Sequence, residues 1–180
     1  LVHESIADKF LEKAIERVKR IKTGHPLDTE TMIGAQASQE QQDKILGCIA
    51  AGREEGAQVL TGGGERREIG EGFYIEPTIF KGHNSMKIFQ EEIFGPVLPV
   101  LGYERLDDAI AHINARPRPL ALYWFGQSEA VRDDVLQRTV SGGVTVNDTL
   151  MHIAHDNLPF GGVGDSGWGA YHGEQGFLRF

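Results

Sequence analysis

The chain has 180 residues, 40% of them apolar and 24% charged, which is ordinary for one globular domain with a sizeable core. Its net charge of −8 argues against a nucleic-acid partner, because binding to phosphate backbones depends on clusters of Lys and Arg. No stretch approaches the roughly 18 apolar residues of a membrane helix. A single cysteine, Cys48, excludes an internal disulfide and favours a reducing compartment, so we expect a cytoplasmic protein without a nucleic-acid or membrane partner.

The first part of the chain predicts two amphipathic helices. Residues 5–22 carry apolar side chains at three-to-four spacing, which indicates a helix packed on the core. A second helix is expected from residue 38 to about residue 55. Both predicted helices begin with a capping pattern, which is Ser5 with Asp8 in the first and Ser38 with Gln41 in the second.

Extended segments and a glycine turn follow. Residues 57–60 predict a short strand, and the glycines at 62–64 predict a turn that needs positive φ angles. This turn lacks the Gly-Lys-Ser/Thr ending of a phosphate-binding loop, so we interpret it as a plain turn. Residues 74–80 predict a second extended run, and Pro77 within it favours an edge or irregular strand.

From residue 97 onward, strands and helices alternate. The expected elements are a strand at 97–103, a helix at about 107–115, a strand at 120–126, a helix at about 129–139 and a strand at 143–147. Such alternation predicts an α/β fold with a mostly parallel sheet and helices on both faces. Ligands of these sheets bind beyond the carboxyl ends of the strands, which places Asn147 and the following loop at a functional rim.

Some patterns resemble functional sites but lack the required context. Residues 162–167 fit the dinucleotide fingerprint, yet they follow no predicted strand and have no acid at the right distance, so we interpret them as a structural loop. His152, His155 and Asp156 could bind a metal, but no further His or Cys cluster completes a site, and we expect no metal. Cys48 lies on or beside the apolar face of the second helix and is interpreted as structural.

One octapeptide carries a family resemblance. Residues 90–97 place two carboxylates, an aromatic ring and a Gly-Pro stop before a β-rich run, and they read Gln90-Glu91-Glu92-Ile93-Phe94-Gly95-Pro96-Val97. A carboxylate at a sheet edge beside an apolar face suits a sugar hydroxyl and a ring. The octapeptide resembles the Glu-Glu-Ile-Phe-Gly-Pro-Val motif of the aldehyde dehydrogenase superfamily. The resemblance implies that Glu92 holds the nicotinamide ribose of NAD or NADP and that Phe94 packs near the nicotinamide.

Two further stretches, residues 140–149 and 158–173, are similar to the C-terminal part of coniferyl-aldehyde-dehydrogenase-like members. Residues 1–90 are closer to the bacterial acetaldehyde and aliphatic aldehyde branch, so the resemblance covers essentially the whole chain. This difference leads to the hypothesis that two subfamily types are joined at residues 91–97, as in a recombined gene. Separate phylogenies of the two parts would test it.

The resemblance implies a role in the oxidation of aldehydes to carboxylic acids. In the family, a cysteine thiolate attacks the aldehyde, hydride passes to NAD(P)⁺, and a glutamate activates the water that hydrolyses the thioester. The resemblance places this cysteine, this glutamate, the oxyanion asparagine and the Rossmann-like cofactor domain upstream of Leu1. Residues 1–180 are therefore expected to be the C-terminal part of a catalytic domain, without catalytic residues and inactive alone.

The resemblance also assigns part of the aldehyde tunnel. Asn147, Leu158 and Phe160 are expected to line it, with Phe160 as an aromatic wall. An aromatic aldehyde needs apolar walls, and the neighbouring apolar candidates are Leu150, Met151 and Ile153. Asp165 and Trp168 depart from the family pattern, and Trp168 is expected to narrow the nearby loop. The identity of the aldehyde therefore stays open.

The resemblance also implies which partners to expect. In the family, a cofactor domain and an oligomerisation strand cover apolar surfaces that residues 1–180 alone would expose. Exposed apolar patches seek partners, so a homo-oligomer is expected. The alternative is a non-catalytic, self-associating remnant or binding module of the same fold. A further alternative, with Cys48 as a substitute nucleophile, is disfavoured because the sequence shows no paired base. The choice between NAD and NADP stays open, because the adenosine-ribose contacts lie in the cofactor domain.

Overall fold

The computed structural model describes residues 1–180, and the chain divides into two compact units, Leu1–Glu104 and Arg105–Phe180. The first unit contains β1 (Val2–His3), α1 (Glu4–Lys19), α2 (Gln39–Glu54), β2 (Gln58–Thr61), β3 (Thr78–Lys81), β4 (Val97–Val100) and β5 (Gly102–Tyr103). The second contains α3 (Leu106–Asn114), β6 (Ala121–Trp124), α4 (Glu129–Arg138), β7 (Gly143–Val146), α5 (Met151–Ala154) and α6 (Gly173–Phe177). None of these helices has the length and apolar composition needed to cross a bilayer.

Strand pairing is mostly parallel, and the predicted α/β class is confirmed. β1 pairs with β5, β3 with β4 and β6 with β7 in parallel, whereas β2 and β3 are antiparallel. The strands form three small sheets. The predicted strand at 97–103 is interrupted at Leu101, because β4 pairs with β3 while β5 pairs with β1.

β3 forms the centre of the first unit because its side chains alternate between two cores. Phe80 packs with Ile45 of α2 in one core. Ile79, on the opposite face of the strand, packs with Leu11 of α1 and with Val100. Both Phe80 and Ile79 are completely buried. The two helices therefore cover opposite faces of the β2–β3–β4 sheet, as the sequence predicts.

The first helix begins and ends earlier than predicted. β1 keeps the backbone extended up to His3, which becomes the N-cap residue and whose Nδ1 accepts the N–H of Ser5 at 3.2 Å. The prediction that Ser5 caps the helix together with Asp8 is therefore wrong. The helix ends at Lys19 rather than at residue 22.

Burial along the two helices follows the prediction only in part. Leu11 of α1 is buried, but Ile6 is 56% and Phe10 is 39% exposed, so the N-terminal half of the predicted core stripe faces solvent. In α2, Ile45 and Cys48 are buried in the same core. The free thiol of Cys48 is 7% exposed, which confirms its interpretation as a structural cysteine.

The two prolines near the central strand lie where the hydrogen-bond ladder tolerates them. Pro77 precedes β3, where the ladder starts at Thr78. Of the predicted alternatives, an edge or an irregular strand, β3 is not an edge strand, but its pairing with β2 is irregular, with a register shift between Val59 and Thr61. Pro99 lies within β4, which is an edge strand. The predicted glycine turn is confirmed by φ angles of 71° at Gly62 and 99° at Gly63.

The second unit shows the predicted alternation of helices and strands, with bounds within a few residues of those expected. Arg138 of α4 connects its helix to α3, since its guanidinium lies 2.8 Å from Asp107 Oδ1 and its backbone carbonyl accepts from Asn114 Nδ2 at 2.8 Å. The hydrogen bond from Arg138 lowers the pKa of Asp107 below its ordinary value. These contacts fix the two helices relative to one another.

Candidate functional site

Residues 90–97 form a tight turn between a short helical turn and β4. The N–H of Gly95 donates to the carbonyl of Ile93 at 2.9 Å, and the N–H of Val97 donates to the carbonyl of Gly95 at 2.8 Å. Ile93 packs against the core that contains Ile45. On the other side of the turn, Val97 enters the sheet opposite Thr78. The turn is therefore anchored at both ends.

Two contacts with α2 fix the middle of this turn. Nε2 of Gln41 donates to the carbonyl of Phe94 at 2.7 Å, across 53 positions of sequence. Gly95 lies so close to the helix that an added methyl group would be 2.5 Å from Cδ1 of Ile45, so only glycine fits there. The backbone around Phe94 is thus held by α2, whose Ile45 is buried in the core.

The side chains of Glu92 and Phe94 project away from this anchored backbone. Phe94 is 69% exposed. Glu92 is exposed, and its carboxylate makes no hydrogen bond or ion pair within the chain. The neighbouring Glu91 differs, since its carboxylate lies 3.8 Å from Nζ of Lys87. An unpaired carboxylate can accept hydrogen bonds from ribose hydroxyls, and an exposed ring can cover a nicotinamide, so these residues fit the cofactor that the resemblance implies.

Asn147 lies directly after β7, at the carboxyl end of the parallel pair β6–β7, as predicted. Its φ of 57° is left-handed. Its side chain bridges both backbone groups of Gly126, since Oδ1 accepts from the N–H at 2.9 Å and Nδ2 donates to the carbonyl at 3.1 Å. The Asn147 amide therefore ties together the loops that follow two neighbouring strands and shapes the rim of this sheet.

The loop after Asn147 contains the short helix α5, which no pattern in the sequence predicts. Its apolar residues are largely at the surface, with exposed fractions of 60% for Leu150, 55% for Met151, 38% for Ile153 and 44% for Leu158. Leu158 follows the helix, and its N–H donates to the carbonyl of His155 at 3.0 Å. The structure thus places these tunnel candidates on an exposed apolar surface of the second unit.

Phe160 lies in an aromatic cluster. Its ring centroid is 5.7 Å from that of His152, 5.6 Å from that of Tyr171 in an edge-to-face arrangement, and 5.8 Å from that of His172 in a stacked one. The backbones of Phe160 and Tyr171 also exchange hydrogen bonds of 2.8 and 2.9 Å. Such ring contacts fix the orientation of the Phe160 side chain. Of the predicted tunnel residues, Phe160 is the one held by other aromatic rings.

His152 is buried and lies within hydrogen-bond distance of a neighbouring strand. It is 6% exposed, and its Nδ1 lies 3.1 Å from Oγ1 of the buried Thr145. His155 and Asp156 are exposed. The structure contains no group of three or more His, Cys, Asp or Glu side chains placed to hold a metal ion. His152 therefore packs α5 onto β7, while the other members of the predicted pattern lie at the surface.

The glycine loop at residues 161–169 packs backbone against backbone. An added methyl group on Gly161 would collide with the carbonyl of Gly169, and one on Gly162 would collide with the backbone of Ser166. The loop contains only a short helical turn, Gly164–Ser166, so it does not open the helix of a dinucleotide fingerprint and is structural, as predicted. Trp168 is 99% exposed, so its side chain lies outside the packed part of the loop.

The sequence did not predict that Gln41 contacts Phe94 or that His172 stacks on Phe160. The sequence pattern assigns Gln41 only to a capping box with Ser38. Its backbone N–H does donate to Oγ of Ser38 at 3.2 Å, but its side chain donates to the carbonyl of Phe94 and not to the backbone of Ser38. His172 has a φ of 89°, in a region that favours glycine, and its buried Nδ1 has no hydrogen-bond partner. Neither contact has a local sequence signal, because each depends on residues brought together by folding.

Comparison with known proteins identifies the family of the chain. The chain matches the aldehyde dehydrogenase family over residues 1–180, and it belongs to this family. Among its relatives, the long-chain-aldehyde dehydrogenase of an Acinetobacter species is 54% identical over 169 residues, covering 94% of this chain and 33% of the relative. A probable coniferyl aldehyde dehydrogenase of Caulobacter vibrioides is 51% identical over 149 residues, covering 81% of this chain and 31% of the relative.

Solved structures show the same fold. The aldehyde dehydrogenase of Mycobacterium tuberculosis, in complex with NAD⁺, superimposes with a TM-score of 0.91 at 33% identity, covering 99% of this chain and 36% of that chain. The aldehyde dehydrogenase of Bartonella henselae gives a TM-score of 0.92 at 34% identity, covering 99% and 37%. The chain therefore spans about a third of the length of the proteins it matches. The Acinetobacter relative matches on both sides of residues 91–97, and the hypothesis of two joined subfamily types stays a prediction.

Proposed function

We propose that residues 1–180 form the C-terminal part of the catalytic domain of an NAD(P)⁺-dependent aldehyde dehydrogenase that converts aldehydes to carboxylic acids. In this proposal the chain supplies the nicotinamide-ribose contact and part of the aldehyde tunnel. The nucleophilic cysteine, the base glutamate and the cofactor domain belong to the other two thirds of such an enzyme. The coverage of about a third of each relative supports this division.

The observation that carries the proposal is the turn at residues 90–97. Its backbone is fixed by Gln41 and by the contact of Gly95 with Ile45, while the side chains of Glu92 and Phe94 contact solvent. NAD(P)⁺, when bound, accepts the hydride from the substrate. The role of Glu92 is to accept hydrogen bonds from the ribose, and the role of Phe94 is to cover the ring, so that both hold the acceptor in position.

On the substrate side, Phe160 is proposed to form an aromatic wall of the tunnel, with Asn147 and Leu158 at its rim. The rings of His152 and His172 hold Phe160, which supports a fixed apolar surface for the aldehyde. Two relatives are named for long-chain and coniferyl aldehydes, and both names describe aldehydes with large apolar bodies. We therefore propose an apolar aldehyde as the substrate class.

The proposal includes a homo-oligomer in the cytoplasm. Apolar side chains lie exposed in the second unit, including Phe125 at 63%, Val144 at 36% and Val146 at 41%. Exposed apolar surface favours association, and the single buried cysteine is compatible with a reducing compartment. The same exposed side chains also favour the alternative, a non-catalytic module that associates with itself.

A fusion enzyme separates the two candidates. Residues 1–180 replace the matching third of the Acinetobacter long-chain-aldehyde dehydrogenase, and NAD(P)⁺ reduction is measured with aliphatic and aromatic aldehydes. We expect the fusion enzyme to oxidise aldehydes and the 180-residue chain alone to be inactive. Turnover by the isolated chain would contradict the placement of the nucleophile. A folded but inactive fusion enzyme would support the non-catalytic module.

The contact between Gln41 and the turn gives a first mutational prediction. Gln41→Ala in the fusion enzyme removes one hydrogen bond to the Phe94 carbonyl, which contributes about 0.5–1.5 kcal/mol and corresponds to a roughly two- to tenfold effect. We expect KM for NAD(P)⁺ to rise by this factor, with a smaller change in KM for the aldehyde. Glu40→Ala is the matched control, because Glu40 is the preceding residue of α2 and is exposed. Equal increases in both variants would argue against a positioning role for Gln41.

A further inference from the structure

We propose that a cleft beside Phe160 binds small organic carboxylates through Arg179, as a site separate from the turn at residues 90–97. The cleft has a volume of about 400 Å³, within the usual range for small-molecule sites. Its walls include the side chains of Leu120, Phe160, Tyr171 and Arg179, together with the glycine loop up to Trp168, whose own side chain is exposed. All of these residues belong to the second unit.

Arg179 is held at the wall of this cleft. Its Nε donates to the carbonyl of Ala170 at 3.2 Å, which leaves the two terminal nitrogens available to a ligand. Its guanidinium lies against Gly169, where an added methyl group would be 2.8 Å from Cζ and where φ is 83°. Glycine at this position therefore makes room for the guanidinium group.

The charge of Arg179 is not neutralised within the chain. No carboxylate forms an ion pair with Arg179. In contrast, Arg132 and Arg138 of the same unit form ion pairs with aspartates at 2.8–2.9 Å. Arg179 is also the sole charged residue that lines the cleft. A guanidinium fork binds planar carboxylates through paired hydrogen bonds. The cleft thus offers one site for a single negative charge.

The remaining walls define the body of the ligand. The rings of Phe160 and Tyr171 and the side chain of Leu120 are apolar, and the glycine loop presents backbone without side chains. A ligand with an apolar body and one carboxylate satisfies both parts of the cleft, whereas a neutral aldehyde leaves the positive charge of Arg179 without a counter-charge. The structure therefore favours aromatic or fatty carboxylic acids. The cleft shares Phe160 with the proposed aldehyde tunnel, but its test measures binding to this chain and requires no aldehyde oxidation, so the two proposals can fail separately.

The test uses the 180-residue chain and two probes, benzoate and octanoate, followed by amide and arginine Nε chemical shifts in NMR titrations. We expect shifts at residues 161–171 and at Arg179, saturating with probe concentration. Benzamide and octanamide keep the apolar bodies without the charge, and they are expected to bind at least about tenfold more weakly. Equal binding of acids and amides would overturn the proposal, as would shifts confined to other parts of the chain. Inorganic phosphate binding as tightly as benzoate would also overturn it, because only a general anion site would remain.

Variants test the role of the guanidinium. Arg179→Gln is expected to weaken benzoate binding about tenfold or more, and Arg179→Lys, which keeps the charge without the fork, is expected to weaken it less. Arg118→Gln removes the same charge from an exposed arginine outside the cleft, and it is expected to bind like the unaltered chain. Unchanged binding by Arg179→Gln, or an equal loss in Arg118→Gln, would refute the assignment. If Arg179→Gln fails to fold, the comparison of benzoate and octanoate with their amides still tests whether the cleft recognises a carboxylate.

Discussion

Replacing Glu92 by glutamine in the fusion enzyme is expected to raise KM for NAD(P)⁺ by about tenfold to a hundredfold. The substitution keeps the shape of the side chain but removes the charge that strengthens hydrogen bonds from the ribose hydroxyls. Hydrogen bonds to a charged group contribute about 1.5–3 kcal/mol, and each 1.4 kcal/mol corresponds to about tenfold. Steady-state kinetics with varied NAD(P)⁺, at a saturating aldehyde concentration, measure the effect.

The control for this prediction is the neighbouring carboxylate. Glu91→Gln removes the same charge one position earlier, where the carboxylate lies 3.8 Å from Nζ of Lys87 and is expected to contact no ribose. The unfolding midpoint of the 180-residue chain should not change with Glu92→Gln, because Glu92 makes no hydrogen bond or ion pair within the chain. Similar kinetic losses in both variants, or a clear loss of stability with Glu92→Gln alone, would contradict the ribose assignment.

Replacing Phe80 by alanine is expected to lower the free energy of unfolding of the first unit by about 3–5 kcal/mol, the usual range for deleting a buried phenylalanine ring. Phe80 is completely buried on β3 and packs with Ile45 and Ile88, so the deletion leaves a cavity at the centre of the larger core. Urea unfolding followed by circular dichroism measures the change. Tryptophan fluorescence would report on the other unit, because Trp124 and Trp168 both lie there.

Phe94→Ala is the matched control, since it deletes the same ring at a position that is 69% exposed. Its effect on the free energy of unfolding is expected to stay within about 0.5 kcal/mol, as is usual for surface positions. In the fusion enzyme, the same variant should impair the use of NAD(P)⁺. If Phe80→Ala and Phe94→Ala lowered the free energy of unfolding equally, the position of Phe80 at the centre of the core would be contradicted.

The two phenylalanines also show what a sequence pattern can and cannot predict. The sequence predicts an extended run for the segment that contains Phe80, and the octapeptide that contains Phe94 carries the family resemblance. Nothing local distinguishes a buried ring from one at 69% exposure. The same limit applies to α1, where Phe10 belongs to the apolar stripe but is 39% exposed. Periodicity predicts which side chains share a face, but not what covers that face.

Hydrogen bonds across long sequence separations were beyond the reach of local patterns. The capping motif predicted that Gln41 folds back on its own helix, whereas the fold brings Phe94 within 2.7 Å of its side chain. Asn147 was predicted at a strand end, and the structure adds that its amide bonds to Gly126 of the neighbouring loop. The tertiary packing determines these hydrogen-bond partners, because a side-chain amide can form hydrogen bonds with any backbone group within range.

Residue patterns and motifs were enough to predict the α/β class, the alternation of elements after residue 97, the structural role of Cys48 and the family. These features depend on spacing within a few residues or on short motifs. Only the folded chain shows that the predicted strand at 97–103 is divided between two sheets. The same holds for the exposure of Glu92 and Phe94 on a fixed turn and for the position of Arg179 in a cleft without an ion-pair partner. The physical reason is that burial, strand partners and charge neutralisation depend on contacts between distant parts of the chain, which exist only after folding.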